Sequence, residues 1–198
     1  GEDPHRVASL GRATLDGLKA GGVAGVVKHI PGHGRATMDS HLELPTVSAP
    51  VEQLEQDLIP FRRLADAPMA MTAHILYPAW DAELCASLSP TIIHDIIRSN
   101  IGFDNLLMSD DLGMQALSTQ PGGQTFAGRA TGVIAAGCDI ALHCSGDFAE
   151  MAEICAALPP IGEAAAARLA RAMAWADQPG AESTDSLAAR RDALLAAA

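Results

Sequence analysis

Residues 28–41 read KHIPGHGRATMDSH and follow an apolar run, residues 23–27, that is typical of a short buried strand. Closely spaced proline and glycine, at Pro31, Gly32 and Gly34, end this strand and predict a loop. The same stretch carries three histidines, a lysine and an aspartate, which contribute little to packing. Ligands of α/β proteins bind at the carboxyl ends of strands, so the stretch predicts a functional site.

Apolar strand-like segments alternate with amphipathic helical patterns along the whole chain. An opening helix is predicted from Asp3, a candidate N-cap that is followed by Pro4 at the first helical position. Short strands that are apolar on both faces and separated by helices predict an α/β fold with a parallel sheet. The four predicted strands are residues 23–30, 69–77, 105–109 and 139–144. The later predicted helices are residues 51–65, 89–97, 124–136, 148–158 and 162–176, with a tail helix at 186–195.

All four predicted strands end in polar residues. An active site at one rim of a β/α barrel needs this arrangement, but a complete barrel has eight strands and about 250 residues. The pattern therefore predicts either a four-stranded open sheet or the second half of a barrel. The polar residues at the strand ends are Lys28 and His29, His74, Asp110 and Asp111, and His143.

Composition restricts the class of protein. Hydrophobic residues make up 48% of the 198 residues and aromatic residues 4%, which predicts one globular domain with an aliphatic core. A formal net charge of −11 argues against nucleic acid and anionic membranes as partners. We find no membrane-spanning run and no signal peptide. The four cysteines form no metal or redox motif, so we expect reduced thiols in the cytoplasm. The chain begins without methionine, and we expect it to be part of a longer one.

Three long motifs occur in a fixed order along the chain. They are KHIPGHGRATMDSH followed by LELP, then MTAHILYPAWD, then SLSP…IGFDNLLMSDDLGM. With these motifs, which span about residues 3–144, the sequence closely resembles glycoside hydrolase family 3, and within it the bacterial β-N-acetylglucosaminidases of cell-wall recycling. The resemblance implies a TIM-type (β/α)8 barrel. Residues 1–178 would form the C-terminal half of that barrel, four β/α units, and residues 179–198 a tail.

The resemblance also implies the roles of individual residues. Asp110, the first aspartate of the SDDL motif, corresponds to the nucleophile. His41 of the DSH triplet corresponds to the general acid/base, and Asp39 is its partner. Lys28 and His29 correspond to residues that bind sugar hydroxyls. An arginine and an aspartate that bind the sugar in the family would lie before the first residue, so the missing N-terminal half of the barrel is an expected partner.

The residues themselves are chemically suited to these roles. A retaining glycosidase needs a carboxylate below the anomeric carbon and a proton donor at the leaving oxygen. Asp110 stands at a strand end, whereas Asp111 alternates to the other face and is expected to cap the next turn. A histidine, with an ordinary pKa near 6.5, can both donate and accept a proton close to neutral pH. Asp39, two residues before His41, can hydrogen-bond one ring nitrogen.

The other histidines and Lys28 have alternative interpretations. His74 is predicted either to line the pocket as a substrate-binding residue or to orient a neighbour. His33 is expected to shape the loop through hydrogen bonds, and His143 to be structural. Lys28 is expected to contact ligand, because a buried lysine at a strand end is costly without a partner.

Residues 32–41 contain two glycines and no apolar run, so little is expected to hold them in place. We therefore hypothesise that His41 swings over the bound sugar and meets Asp110 only when substrate is present.

The sequence leaves several functions open. The main prediction is retaining hydrolysis of terminal non-reducing β-linked N-acetylglucosamine from peptidoglycan fragments, with no cofactor. A phosphorylase or a β-glucosidase could use the same scaffold. A zinc-dependent hydrolase is another alternative. Against zinc, His29 and His33 lie in a Pro-Gly loop instead of a helix, and Lys28 would be unexplained. The last alternative is an inactive fragment that needs its first half.

Overall fold

The computed structural model of the chain describes residues 2–40, 42–175, 180 and 182–197. Three strands alternate with helices, which confirms the predicted α/β class. The strands are β1 (Val26–Ile30), β2 (Met69–Thr72) and β3 (Leu106–Met108). The α-helices are α1 (Pro4–Ala20), α2 (Val51–Asp57), α3 (Ile59–Arg63), α4 (Phe126–Ala136), α5 (Phe148–Ala157), α6 (Glu163–Ala174) and α7 (Thr184–Ala196). A π-helix covers Ile92–Asn100 and a 3₁₀-helix covers Gln115–Leu117.

The strands form a parallel sheet in the order β1-β2-β3. Val26 pairs with Met69, and Met69 pairs in turn with Leu106, so the three strands start level with one another. Consequently their carboxyl ends also lie at one edge. The register shifts at His29, between Lys28 and Ile30, and such a bulge redirects the side chains that follow it.

The core lies between this sheet and the surrounding helices. Most of its fully buried side chains are aliphatic, as the composition predicts. The largest of them are Tyr77, Phe103, Ile30, Leu54, Leu58, Ile75, Ile92, Ile93, Ile97, Leu106, Leu107 and Leu112.

The prediction of a regular fourth strand is wrong, although the segment lies where that strand was expected. Residues 139–144 run beside β3 but make a single parallel bridge, between Met108 and Ile140. Two side chains replace backbone partners there: Asp139 Oδ2 accepts the Leu107 N–H at 2.9 Å, and Ser109 Oγ accepts the Leu142 N–H at 3.1 Å. The regular ladder is interrupted at both points, although the segment stays in position beside β3.

Two predicted helices also differ from the structure. The helix expected over residues 51–65 is divided into α2 and α3, because Pro60 has no N–H to continue the hydrogen-bond ladder. The helix expected over 89–97 is a π-helix that starts later, in which the fully buried Ile92 and Ile97 are five residues apart. The tail contains α7, whose N-cap Ser183 accepts the N–H of Ser186.

The outer edge of β1 is open to solvent. Among the described residues, β1 pairs only with β2. Every second side chain at the start of β1 is exposed, at Val26 and at Lys28. The expectation that Lys28 is buried is therefore wrong for this chain. Its side chain alternates to the same face of β1 as that of Val26 and is open to solvent.

Of the helices that the structure describes, none is both long and apolar enough to cross a membrane.

Asp139 joins the segment beside β3 to two arginines. Its side chain is only 5% exposed, and it binds Arg98 and Arg168 at 3.0 Å each. We expect Asp139→Ala to lower the free energy of unfolding by about 3–5 kcal/mol, because it leaves a largely buried Arg98 without its carboxylate. Urea denaturation of the purified chain measures this loss.

The matched control is Asp104→Ala. Asp104 pairs with the same Arg168, but its side chain is 81% exposed, so the expected loss is below about 1 kcal/mol. Equal losses in the two variants would contradict the assignment of Asp139 as a buried anchor.

Candidate active site

The carboxyl ends of the strands bring the predicted polar residues to one rim. Asp110 follows β3 by two residues, and its carboxylate Oδ2 lies 3.5 Å from Nε2 of His29, at the end of β1. The two side chains come from segments about eighty residues apart in sequence and are joined by the parallel register. The structure therefore brings together the predicted nucleophile and one predicted sugar-binding residue.

Hydrogen bonds with its two neighbours in the chain hold Asp110 in place. Its Oδ1 accepts the backbone N–H of Asp111 at 2.9 Å, and its carbonyl oxygen accepts the hydroxyl of Ser109 at 2.8 Å. The Asp110 side chain is 14% exposed, whereas the His29 side chain is 27% exposed. A carboxylate that is fixed on one oxygen and faces an imidazole on the other can approach a bound ligand in a defined orientation.

Lys28 belongs to the same electrostatic environment. Partial burial raises the pKa of the Cys144 thiol, the carboxylates of Asp111 and Asp110 raise it further, and the charge of Lys28 opposes them. The charges of Lys28 and of the two aspartates therefore all act on the Cys144 thiol.

His74 lies behind the rim and is 1% exposed. Its Nε2 is 3.1 Å from the carbonyl oxygen of Asp111, which can only accept, so Nε2 carries the proton. Its Nδ1 is 2.7 Å from Oγ of Ser87, which is itself 2.8 Å from Oγ1 of Thr72. Both ring nitrogens thus have protein partners. This geometry favours the alternative in which His74 orients a neighbour, and that neighbour is the Asp110–Asp111 loop.

Asp111 caps the turn that follows it. Its Oδ1 accepts the N–H of Gly113 and the N–H of Cys144, both at 3.0 Å. These contacts match the capping role expected for Asp111 and also tie the end of β3 to the segment beside it.

The loop after β1 is held at two points, contrary to the expectation that little would pin it. Tyr77 donates its hydroxyl proton to the carbonyl oxygen of Gly32. Arg35 binds the carboxylate of Asp57 and, at 3.1 Å, the amide oxygen of Gln53. The loop is therefore anchored at Gly32 and at Arg35.

The far end of this loop contains the predicted acid/base pair. Nε2 of His33 lies 3.4 Å from Oγ of Ser40, in keeping with a loop-shaping role for His33. The carbonyl oxygen of Asp39 accepts the N–H groups of Leu42 and Glu43. His41 lies outside the described residues, so its role and its pairing with Asp39 stay predictions.

Sequence reasoning did not identify several residues that support the rim. Ser87, Tyr77 and Arg35 act through contacts between distant segments, and no local motif marks them. Glu150 is another: its Oε2 lies 2.8 Å from Nε2 of His143. Within the described ranges, no group of three or more His, Cys, Asp or Glu side chains is placed to hold a metal ion.

Residues 1–174 match the family model described as the glycosyl hydrolase family 3 N terminal domain. The beta-hexosaminidase of Chromobacterium violaceum is 42% identical over 172 residues, which cover 85% of this chain and 47% of that protein. The chain therefore spans about half the length of the curated relatives it matches.

Solved structures show the same relationship. NagZ from Neisseria gonorrhoeae in complex with N-trifluoroacetyl-D-glucosamine aligns with a TM-score of 0.73 and 33% identity, over 94% of this chain and 52% of that one. The beta-glucoside phosphorylase BglX bound to 2FGlc aligns with a TM-score of 0.73 over 88% of this chain and 34% of that one. BglX is 22% identical, a level at which only the fold is shared. The expected TIM-barrel type of fold is confirmed.

Burial of His74 predicts a specific pH dependence of stability. Burial lowers the pKa of the His74 imidazole, and the negative charges of Asp110 and Asp111 oppose this without reversing it. Below an ordinary pKa of about 6.5, the unfolded chain binds a proton that the folded chain does not, so stability falls with falling pH. His74→Gln should remove this loss and flatten the acid side by up to about 1.4 kcal/mol per pH unit.

Urea denaturation between pH 5 and 8 measures the slope. The control is His5→Gln, on the exposed surface of α1, which should keep the wild-type slope. An unchanged slope in His74→Gln would show that His74 is not the buried neutral donor that the geometry indicates.

Proposed function

The chain belongs to glycosyl hydrolase family 3, and we propose that it supplies the catalytic half of a retaining β-N-acetylglucosaminidase. The proposed substrate carries a terminal, non-reducing β-linked N-acetylglucosamine. The observation that carries the proposal is the carboxylate of Asp110, held by the N–H of Asp111 and facing His29 at the carboxyl end of the sheet.

In the proposed first step, Asp110 attacks the anomeric carbon of the sugar. The bond to the leaving oxygen breaks, and His41 gives its proton to that oxygen. The product is a glycosyl ester on Asp110. In the second step, a water molecule gives a proton to His41 and attacks the same carbon, which releases Asp110 and a sugar with retained configuration.

The other rim residues would bind and orient the sugar. His29 is 3.5 Å from Asp110, so a hydroxyl group bound by its imidazole would lie next to the reacting carbon. Lys28 would supply a second donor once a neighbouring strand covers the open edge of β1. His74 would act indirectly, by fixing the backbone of Asp111.

A conformational step of the loop after β1 is part of the proposal. The first residues of this loop are anchored to Tyr77 and Asp57, so motion would be confined to the segment that leads to His41. We propose that this segment closes over the sugar and brings His41 to the leaving oxygen.

We propose a fragment of peptidoglycan as the physiological substrate, N-acetylglucosamine linked to anhydro-N-acetylmuramic acid with or without peptide. The curated relatives are beta-hexosaminidases, and a neighbouring structure binds an N-acylated glucosamine. Four free cysteines, two of them buried, fit a reducing compartment such as the cytoplasm.

Activity should require the part of its relatives' length that this chain does not span. We expect the 198-residue chain alone to be inactive on a chromogenic β-N-acetylglucosaminide. It should turn over when it is joined to the part of the Chromobacterium violaceum relative that it does not cover. In this reconstituted enzyme, Asp110→Asn should lower kcat by on the order of a thousandfold or more, because the nucleophile is lost.

The matched control is Asp104→Asn, the same substitution at the opposite end of β3, which should keep the activity. Product analysis with and without inorganic phosphate distinguishes hydrolysis from phosphorolysis, the alternative function. Free N-acetylglucosamine in both reactions supports hydrolysis, whereas a sugar 1-phosphate would replace the proposal with phosphorolysis. A reconstituted, folded enzyme without turnover would overturn the proposed function.

A further inference from the structure

His143 stands at the end of the segment beside β3, and the proposed mechanism does not use it. Its side chain is 6% exposed, yet it lies between two carboxylates from different elements. Nε2 is 2.8 Å from Oε2 of Glu150, in the first turn of α5, and Nδ1 is 3.5 Å from Oδ1 of Asp111. The ring packs edge-on against Phe126 of α4, with 4.9 Å between the ring centroids. Contacts with two carboxylates indicate that His143 does more than fill space in the core.

The surrounding hydrogen bonds place one proton on Nε2. The hydroxyl of Ser145 donates to Oε2 of Glu150 and accepts the N–H of Asp147, and it lies 2.8 Å from Nε2 of His143. Both oxygens next to Nε2, from Ser145 and Glu150, can accept its proton. Nε2 is therefore the donor.

The environment of Nδ1 then decides the charge of the ring. This atom is buried and has no hydrogen-bond partner in the part of the chain that the structure describes; Oδ1 of Asp111 lies 3.5 Å from it. A bare Nδ1 would place an unprotonated nitrogen 3.5 Å from a negatively charged oxygen. A proton on Nδ1 turns the same contact into an ion pair between an imidazolium and Asp111.

Asp111 connects this ion pair to the nucleophile. Its backbone N–H donates to Oδ1 of Asp110, and its carboxylate holds the N–H groups of Gly113 and Cys144. Rotation of the Asp111 side chain would release both backbone groups and shift the peptide that orients Asp110. Small displacements of a reacting group cost rate more than binding.

We propose that His143 is a positioning residue for Asp110: a protonated imidazole clamped between Glu150 and Asp111 that fixes the loop carrying the nucleophile. This inference rests on the proposed function of Asp110. It names a role for His143 beyond the structural one expected from the sequence, and it makes Glu150 part of the same device.

Kinetics of the reconstituted enzyme test the clamp. His143→Phe, which keeps an aromatic ring against Phe126, should lower kcat about ten- to a hundredfold and change KM less than threefold. His143→Gln retains an amide donor and should recover part of kcat. In an Asp111→Asn background, His143→Phe should cause no further loss, since both act through one contact.

Glu150→Gln has a control on the same helix. Glu153 also lies on α5, but its carboxylate accepts the backbone N–H of Ala127, on α4. Glu150→Gln should lower kcat in the same direction as His143→Phe, and Glu153→Gln should not. The charged groups that face the His143 site are Asp111, Glu150 and Arg129 of α4, whose guanidinium stacks on Phe126.

NMR of the wild-type protein labelled with ¹⁵N-histidine gives an independent readout, with His143→Gln used to assign the signal. Protons on both ring nitrogens of His143 at neutral pH support the clamp, and a single protonated nitrogen overturns it. Wild-type turnover with an unchanged kcat in His143→Phe would also overturn it. Absence of turnover in the wild type would instead defeat the proposed function, and the NMR result would then decide the clamp alone.

Discussion

The hydrogen bond from the backbone N–H of Asp111 to the carboxylate of Asp110 is the interaction on which the rim depends. Two adjacent carboxylates stand at the end of a parallel strand, and each needs hydrogen-bond donors. The structure supplies them separately. Asp110 receives a backbone donor and faces His29, whereas Asp111 receives two backbone donors and faces His143. The two side chains therefore lie in different environments, Asp110 facing His29 and Asp111 holding two backbone N–H groups.

The sheet explains how distant segments meet at this point. The three parallel strands start level with one another, so the carboxyl ends of β1, β2 and β3 lie at one edge of the sheet. Residues 139–144 run beside β3 and extend this edge. The two outer sides of this arrangement differ. β1 presents an open edge with Val26 and Lys28 exposed, while Asp139 ties the other side to Arg98 and Arg168. The chain spans about half the length of the curated relatives it matches.

Periodicity and turn chemistry predicted most of the framework, because the signals are local. The N-cap at Asp3, the strands and the positions of Asp110 and His29 at one rim follow from such signals. The interrupted strand at residues 139–144 does not, since it depends on how the side chains of Asp139 and Ser109 meet β3.

Roles that depend on tertiary contacts also could not be predicted from the sequence. His74 could have faced ligand or protein, and only its contacts with Ser87 and the Asp111 carbonyl oxygen distinguish these alternatives. Tyr77 and Arg35 show the same limitation, because Tyr77 holds the loop after β1 from a distant part of the chain and Arg35 ties that loop to the distant Asp57 and Gln53. The assignments of Asp110 as nucleophile and of His41 as acid/base come from motif resemblance. Their test is therefore chemical.

Covalent trapping tests the central claim most directly. The reconstituted enzyme is incubated with a 5-fluoro-N-acetylglucosaminyl fluoride, digested and mapped by mass spectrometry. A glycosyl adduct on the peptide that contains Asp110, absent in Asp110→Asn, is the predicted result. An adduct on another residue, or turnover of the reagent without any adduct in a rapidly quenched sample, would contradict a nucleophilic role for Asp110.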